Sequence, residues 1–178
     1  MKTKAEYRQQ LKAAIDALSD AEKERQSRHL CERLLNAPQL QAANRIGIYL
    51  PLPDEPDLRP ALSEFLRQGK QLALPFPQNN RWHFHNITSL QGPASGPWNL
   101  TTPLAGKRIE TTTLEVILVP GRGFTLQGQR IGRGKGIYDQ LLQHHAHSRI
   151  GMGFNCQKCK ELPSETHDIL MTEIYVAH

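Results

Sequence analysis

Short apolar strands that alternate with helical segments constrain the fold of this chain more than any other feature. The strand-like segments are rich in aliphatic and β-branched residues. They are RIGIYL at 45–50, KQLALPF at 70–76, residues 114–119, RIGMGF at 149–154 and EIYVA at 173–177. Helical spacing of apolar residues and helix-start signals predict helices at 4–17, 20–35, 58–68 and 137–145. This alternation predicts an α/β fold with a largely parallel sheet.

The length of 178 residues suits one domain with a substantial core and is short for two. We therefore predict a single domain over residues 1–178, with a three-layer, open, Rossmann-like sheet and helices on both faces. RWHFHNI at 81–87 is predicted to be a strand near a sheet edge. Ligands of such sheets sit at the carboxyl ends of strands, where the proline-rich and glycine-rich loops should gather.

The composition excludes several classes of protein. No run approaches 18 apolar residues, so we expect no membrane span. The N-terminal segment MKTKAEYRQQLK lacks the apolar core of a secretory signal. Three cysteines do not make a disulfide framework, and they favour a reducing compartment. We expect a cytoplasmic monomer.

A loop at 129–140, QRIGRGKGIYDQ, holds the most suggestive chemistry. Glycines at three alternate positions are interleaved with Arg133 and Lys135, and Arg130 precedes them. Glycines let backbone N–H groups approach an oxyanion, and a helix starting near Ile137 would add its positive end. Neither the Walker A spacing nor the dinucleotide fingerprint is present. From spacing alone, a phosphate cradle and a flexible surface turn with solvated cations both remain open, within an irregular loop that we expect to fill 121–136.

Six segments in the right order make the chain resemble the 5-formyltetrahydrofolate cyclo-ligase (methenyltetrahydrofolate synthetase) family. The main one resembles the family's strand ending in Pro-Gly, followed by its glycine-rich turn and Tyr-Tyr-Asp. The segments are KAEYR, IGIYLPLPDEPD, GKQLALP, PWNLTTP, VILVPGRGFTLQGQRIGRGKGIYDQLL and LPSETHDILMTE. The resemblance implies conversion of 5-formyltetrahydrofolate to 5,10-methenyltetrahydrofolate with ATP and Mg²⁺. Polyglutamylated folates are an open substrate alternative.

The resemblance also implies roles for individual residues. Arg133 and Lys135 would be catalytic, stabilising charge on the transferring phosphoryl group. The implied ATP-binding residues are Lys4, Arg8, Arg130, Ile131, Gly132, Arg133, Gly134, Lys135, Gly136, Ile137 and Tyr138. The implied substrate-binding residues are Arg8, Leu52, Glu55, Trp98, Arg133, Gly134, Lys135, Gly136 and Ile137. The implied magnesium ligands are Asp139 and Asp168. From the residues alone, Asp139 could equally favour the helix N-terminus, and Glu55 could brace its own loop.

Several residues depart from the family pattern. Ile137 replaces the first tyrosine of Tyr-Tyr-Asp, and Pro56 follows Glu55 where the family has valine. The loop at 98–103 lacks the usual Pro-x-Pro. These departures keep open a non-catalytic nucleotide or folate binder descended from the family. The net charge of +5 also leaves a nucleic-acid binder as a third hypothesis, although the cations form no stripe; we expect no nucleic-acid partner.

Two further clusters have simpler interpretations. Cys156 and Cys159 have the Cys-x-x-Cys spacing of zinc or redox sites, but two more ligands are not evident. His144, His145 and His147 lie near the predicted end of a helix. Cations there suit the helix dipole, so a capping and surface role is expected for these histidines.

Overall fold

The computed structural model describes residues 2–91, 105–145, 147–163, 165 and 168–177. Its α-helices are α1 (Lys4–Asp16), α2 (Asp20–Asn36), α3 (Pro38–Ala42), α4 (Arg59–Arg67) and α5 (Ile137–Leu142). The strands of its main sheet are β1 (Arg45–Gly47), β2 (Gln71–Gln78), β3 (Arg81–Ile87), β4 (Arg108–Ile109), β5 (Val116–Pro120), β8 (Ser148–Gly153) and β10 (Glu173–Val176). Three short strands form a second sheet: β6 (Gly123–Thr125), β7 (Arg130–Ile131) and β9 (Lys158–Cys159).

The main sheet is largely parallel, as predicted. Its order is β10-β8-β5-β1-β2-β3-β4, and the five strands from β10 to β2 all run parallel. The β2–β3 hairpin and β4 add an antiparallel edge. The hairpin turns at Asn79 and Asn80, which both have positive φ, a conformation that asparagine tolerates better than most residues. RWHFHNI therefore lies one strand from the sheet edge.

Both faces of the sheet are buried, which makes the fold three-layered. Along β5, Val116 and Leu118 face one core, whereas Ile117 and Val119 face the other. The first core is covered by α2, α3 and α4 and the second by α5. Since successive side chains of a strand point to opposite faces, an uninterrupted apolar strand such as VILV requires cover on both sides. The predicted fold class is confirmed.

The segment 121–136 is more regular than predicted. Strands β6 and β7 pair antiparallel, and β9 pairs with the other edge of β6 in parallel. The buried side chain of Gln157 holds this small sheet by donating hydrogen bonds to the carbonyls of Gly121 (2.7 Å) and Arg122 (3.1 Å). The expectation of one irregular loop was wrong because these strands are only two or three residues long and one partner of β6, residues 158–159, lies far along the chain.

Helix boundaries follow local capping signals. Ser19 caps α2 by accepting a hydrogen bond from the N–H of Glu22 at 3.2 Å, as the sequence predicts. Helix α5 ends three residues earlier than predicted, at Leu142. His145 is consequently buried, with Nε2 2.8 Å from the carbonyl of Leu114. The expected surface role of His145 was therefore wrong, and burial lowers the pKa of its imidazole.

Across the part of the chain that the structure describes, no helix combines the length and apolar character needed to cross a lipid bilayer.

Candidate active site

A cavity of about 790 Å³ opens where β1, β2 and β5 end. Three segments contribute to it: the proline-rich loop after β1 (residues 51–57), the end of β2, and the turn after β5. Residues 130–139 and the N-terminal half of α1 complete it from the side. The cavity thus occupies the carboxyl edge of a parallel sheet, where ligands of open α/β sheets bind.

The cavity collects the site residues that the sequence predicts. Within the described ranges, fifteen of them form its lining: Lys4, Arg8, Leu52, Glu55, Arg130, Ile131, Gly132, Arg133, Gly134, Lys135, Gly136, Ile137, Tyr138, Asp139 and Asp168. Trp98, the sixteenth, lies outside the described residues. These residues therefore lie around one cavity, and the role of each stays a prediction.

The glycine-rich loop depends on backbone conformations that suit glycine. Gly134 has φ +93° and Gly136 has φ +64°, a region that L side chains rarely adopt. Gly136 immediately precedes α5, and the carbonyl of Gly132 accepts a hydrogen bond of 2.9 Å from Nε of Arg8. The loop is therefore tied to α1 on one side and continues directly into α5 on the other.

Arg133 is the centre of an ion-pair network that sequence reasoning missed. Its Nε and Nη2 donate to Oε1 of Glu55 at 3.0 and 2.9 Å. Its Nη1 and Nη2 also donate to the two carboxylate oxygens of Asp54, Nη1 at 3.1 Å. Arg122 donates to the same Asp54 from outside the cavity. The position of Asp54 beside Glu55 in the proline-rich loop was the only local signal for this network.

The pKa values of the two carboxylates of the network, Asp54 and Glu55, shift in opposite directions. Burial raises the pKa of Glu55, although Arg133 and a hydrogen bond of 3.0 Å from the N–H of Leu52 partly offset it. Burial also opposes ionisation of Asp54, but hydrogen bonds from Arg133 and Arg122 prevail and lower its pKa to about 2. Asp54 is therefore a fixed negative charge, whereas Glu55 takes up a proton more readily.

Helix α1 brings two predicted cations to the cavity. Lys4 and Arg8 lie one turn apart on one helix face, as their spacing predicts. Nζ of Lys4 is 3.0 and 3.1 Å from the carboxylate oxygens of Asp168 and 3.3 Å from Oε2 of Glu165. These contacts fasten the start of the chain to a segment near its end.

The two predicted magnesium ligands reach the cavity from different elements. Asp139 accepts a hydrogen bond of 2.7 Å from Nη2 of Arg130, and Asp168 pairs with Lys4. Among the described residues, no three His, Cys, Asp or Glu side chains cluster as a metal site would require. Each carboxylate thus lines the cavity while paired with a cation of the protein, and its role as a magnesium ligand stays a prediction.

The cavity also has an apolar wall, most of which the sequence did not reveal. It comprises Leu52 from the proline-rich loop, Pro75, Phe76 and Pro77 at the end of β2, and Trp82 at the start of β3. Leu52 was predicted from the resemblance, whereas the other four residues were not. Their position after an apolar strand was a usable signal, because strand ends face the ligand edge of the sheet.

Cys156 and Cys159 are not part of the cavity lining, and Cys159 belongs to β9 of the small sheet. Both are free thiols, and burial raises the pKa of each, which makes them poor nucleophiles. Gln157 between them has the structural role described above, as a hydrogen-bond donor to Gly121 and Arg122.

The fold and the cavity together define an α/β protein whose candidate active site has a charged wall and an apolar wall. The family model for 5-formyltetrahydrofolate cyclo-ligases matches residues 1–177, and the chain belongs to that family. It is accordingly a ligase.

Named relatives agree with this assignment. A 5-formyltetrahydrofolate cyclo-ligase of Mus musculus is 31% identical over 94% of this chain and 90% of its own length. The one from Escherichia coli K12 is 26% identical over 86% of this chain and 88% of its own length. An NMR structure of Aquifex aeolicus 5,10-methenyltetrahydrofolate synthetase superposes with a TM-score of 0.87 and 29% identity, covering 97% of this chain and 89% of that one.

Proposed function

We propose that this chain converts 5-formyltetrahydrofolate and ATP to 5,10-methenyltetrahydrofolate, ADP and phosphate, with Mg²⁺. The observation that carries the proposal is a single cavity that joins a cationic glycine-rich loop to an apolar wall, in a chain of the cyclo-ligase family. A triphosphate needs the first surface and a flat pterin ring needs the second.

The reaction requires activation of a poor leaving group. The oxygen of the formyl group on N5 attacks the γ-phosphorus of ATP. The bond from that phosphorus to the oxygen that bridges the β- and γ-phosphates breaks, and ADP leaves. N10 then attacks the formyl carbon, the carbon–oxygen bond breaks, phosphate leaves, and the N10 proton is released. Positioning and electrostatic stabilisation supply most of the catalysis in such phosphoryl transfers.

Lys135 and Arg133 are proposed to stabilise the transferring phosphoryl group. Both belong to the glycine-rich loop, and both contribute to the cavity lining. Arg130, Lys4 and Arg8 would bind the remaining phosphate oxygens. The hydrogen bond from Arg8 to the Gly132 carbonyl supports this arrangement, because it brings α1 against the loop.

Glu55 and the apolar wall are proposed to bind the folate. A carboxylate offers about four lone-pair sites, and the protein uses those facing Arg133 and the N–H of Leu52. The donor edge of the pterin ring would take a remaining site. Leu52, Ile137 and Trp82 would pack against the ring, and the predicted contact from Trp98 would add to them.

Asp139 and Asp168 are proposed to hold Mg²⁺ together with phosphate oxygens. When bound, the ion would neutralise charge on the triphosphate and help to align it. The side chain of Asp139 is 47% exposed, so one of its oxygens can serve a ligand while the other accepts from Arg130.

The test mixes the protein with Mg²⁺, ATP and 5-formyltetrahydrofolate and follows the absorbance of methenyltetrahydrofolate. Product that requires all three components is expected. Folded protein that binds ATP by calorimetry but forms no product would contradict the proposal and favour the non-catalytic binder. Phosphate release that folate stimulates would exclude that binder.

We further propose a monomer located in the cytoplasm that also accepts polyglutamylated folate. The three cysteines are free thiols, as a reducing compartment favours, and the net charge of +5 suits additional carboxylates. Light scattering and a comparison of KM for mono- and polyglutamylated substrate test the oligomeric state and the substrate preference.

A further inference from the structure

Arg122 lies outside the cavity lining, yet it belongs to the ion-pair network that holds Arg133. It is absent from the described lining, and its side chain is 11% exposed. One Nη1 contact joins it to Oδ2 of Asp54, the oxygen that also accepts from Nη1 of Arg133 at 3.1 Å. Arg122 and Arg133 therefore share the carboxylate of Asp54.

The main chain fixes Arg122 firmly. Its N–H donates to the carbonyl of Ile131 at 2.7 Å, and its carbonyl accepts from Nε2 of Gln157 at 3.1 Å. Ile131 lies two residues before Arg133, so the segment that carries Arg133 also binds the backbone of Arg122. The backbone of Arg122 is thus held by two hydrogen bonds from the protein itself.

The charges of the four groups explain why a second arginine matters. Arg122 and Arg133 balance Asp54 and Glu55. A triphosphate arriving beside Arg133 would compete with these carboxylates for its guanidinium. If Arg133 turned towards a phosphate, Asp54 would be left as a half-buried anion next to a highly negative ligand, which is strongly unfavourable without a counter-charge.

We propose that Arg122 is a positioning residue that acts through Asp54. It neutralises Asp54 and thereby frees Arg133 to exchange its contacts with Asp54 and Glu55 for the phosphoryl group of ATP. This inference rests on the proposed function, because it assigns Arg133 to that phosphoryl group. Glu55, once released by Arg133, is available to the donor edge of the folate.

The experiment is a double-mutant cycle with Arg122→Met and Asp54→Asn. Calorimetry with Mg-ATP gives Kd in the absence of folate, and the absorbance assay gives KM and kcat. Arg122→Met is expected to raise Kd and KM for ATP about tenfold while kcat changes about twofold. Arg122→Lys keeps the charge and should stay within about threefold of the unaltered protein.

The Asp54→Asn background isolates the cause. With the charge of residue 54 removed, Arg122→Met should change Kd for ATP by no more than about twofold. Asp54→Asn alone is expected to lower kcat, since Arg133 loses two of its contacts, without raising Kd for ATP. Arg67→Met, an exposed arginine of α4, is the matched control for loss of one positive charge.

An equal effect of Arg122→Met in both backgrounds would overturn the inference, as would an unchanged Kd for ATP. If Arg122→Met does not fold, Arg122→Gln, which keeps hydrogen-bond donors without the charge, takes its place in the cycle. The calorimetric arm needs no turnover. An absent cyclo-ligase activity would contradict the proposed function, whereas the Kd values would still decide the role of Arg122.

Discussion

The two walls of the cavity are built in different ways. The charged wall, made of Lys4, Arg8, Glu55 and residues 130–139, joins three separate parts of the chain through ion pairs and hydrogen bonds. The apolar wall comes mainly from one hairpin, β2–β3, and its register sets the positions of Phe76 and Trp82. A charged surface therefore depends on long-range partners, whereas an apolar one follows from local strand geometry.

The largest effect is expected from breaking the centre of the charged wall. Arg133→Met removes the proposed phosphoryl contact and leaves Asp54 and Glu55 without their shared arginine partner. We therefore expect kcat/KM to fall about 10²- to 10³-fold. The absorbance assay measures this, with Arg67→Met as the control for charge. Activity within tenfold of the unaltered protein would remove Arg133 from the catalytic role.

The stability of the protein should depend on pH through Asp54, which pairs with Arg133 of the charged wall. Asp54→Asn is expected to lower the free energy of unfolding by about 2 kcal/mol at pH 7, because an ionised partner of two arginines is lost. The folded-state pKa of Asp54 is about 2, below its usual 3.8, so this contribution is fully present above about pH 4 and is lost as the pH falls towards 2.

Urea denaturation at pH 7, 4 and 3 measures this contribution. The difference between Asp54→Asn and the unaltered protein should shrink from pH 4 to pH 3. Glu64→Gln, which breaks the ion pair of Glu64 with the exposed Arg67 on α4, provides the comparison for a surface ion pair. A difference that stays constant down to pH 3 would contradict the role given to the charge of Asp54.

The apolar wall should be separable from the charged one. Trp82→Ala removes a large ring from the proposed folate surface and should raise KM for 5-formyltetrahydrofolate about tenfold. Kd for ATP should stay within about twofold, and Trp82→Phe should retain most of the affinity for folate. Equal losses for both ligands would show that the two walls act as one surface.

The smallest expected effect concerns Ile137, an apolar residue of the charged wall. Ile137→Tyr restores a hydroxyl that the family has at this position and should raise kcat about two- to threefold, as one added hydrogen bond allows. Ile137→Phe adds the ring without the hydroxyl and serves as the control. An equal gain from both variants would assign the effect to packing rather than to the hydroxyl.

Much of the fold follows from the sequence, because its strands are apolar on both faces. VILV at 116–119 reads as a buried strand in any context, and capping by Ser19 marks the start of α2. The small sheet could not be predicted in this way, since β6 and β9 are two or three residues long and pair across a long separation. Helix α3 was not predicted either, because it has only five residues and no side-chain cap.

The site shows the same division. The glycine-rich loop is recognisable because its glycines and cations are contiguous in sequence, and the cavity lining includes it. Asp54 and Arg122 are 68 residues apart, and neither carries a local pattern that announces the other. His145 was expected at the surface because the end of α5 was placed three residues too late, which changes the face of the chain that the imidazole occupies.

The contact between Lys4 and Asp168 spans 164 positions of the chain. Such a contact adds to contact order and closes a very long loop, so we expect it to form late in folding. During synthesis, a nascent chain can pair β1, β2 and β5 well before residue 168 has emerged. The proposed nucleotide-binding surface, which includes Asp168, would therefore be completed only at the last stage of synthesis.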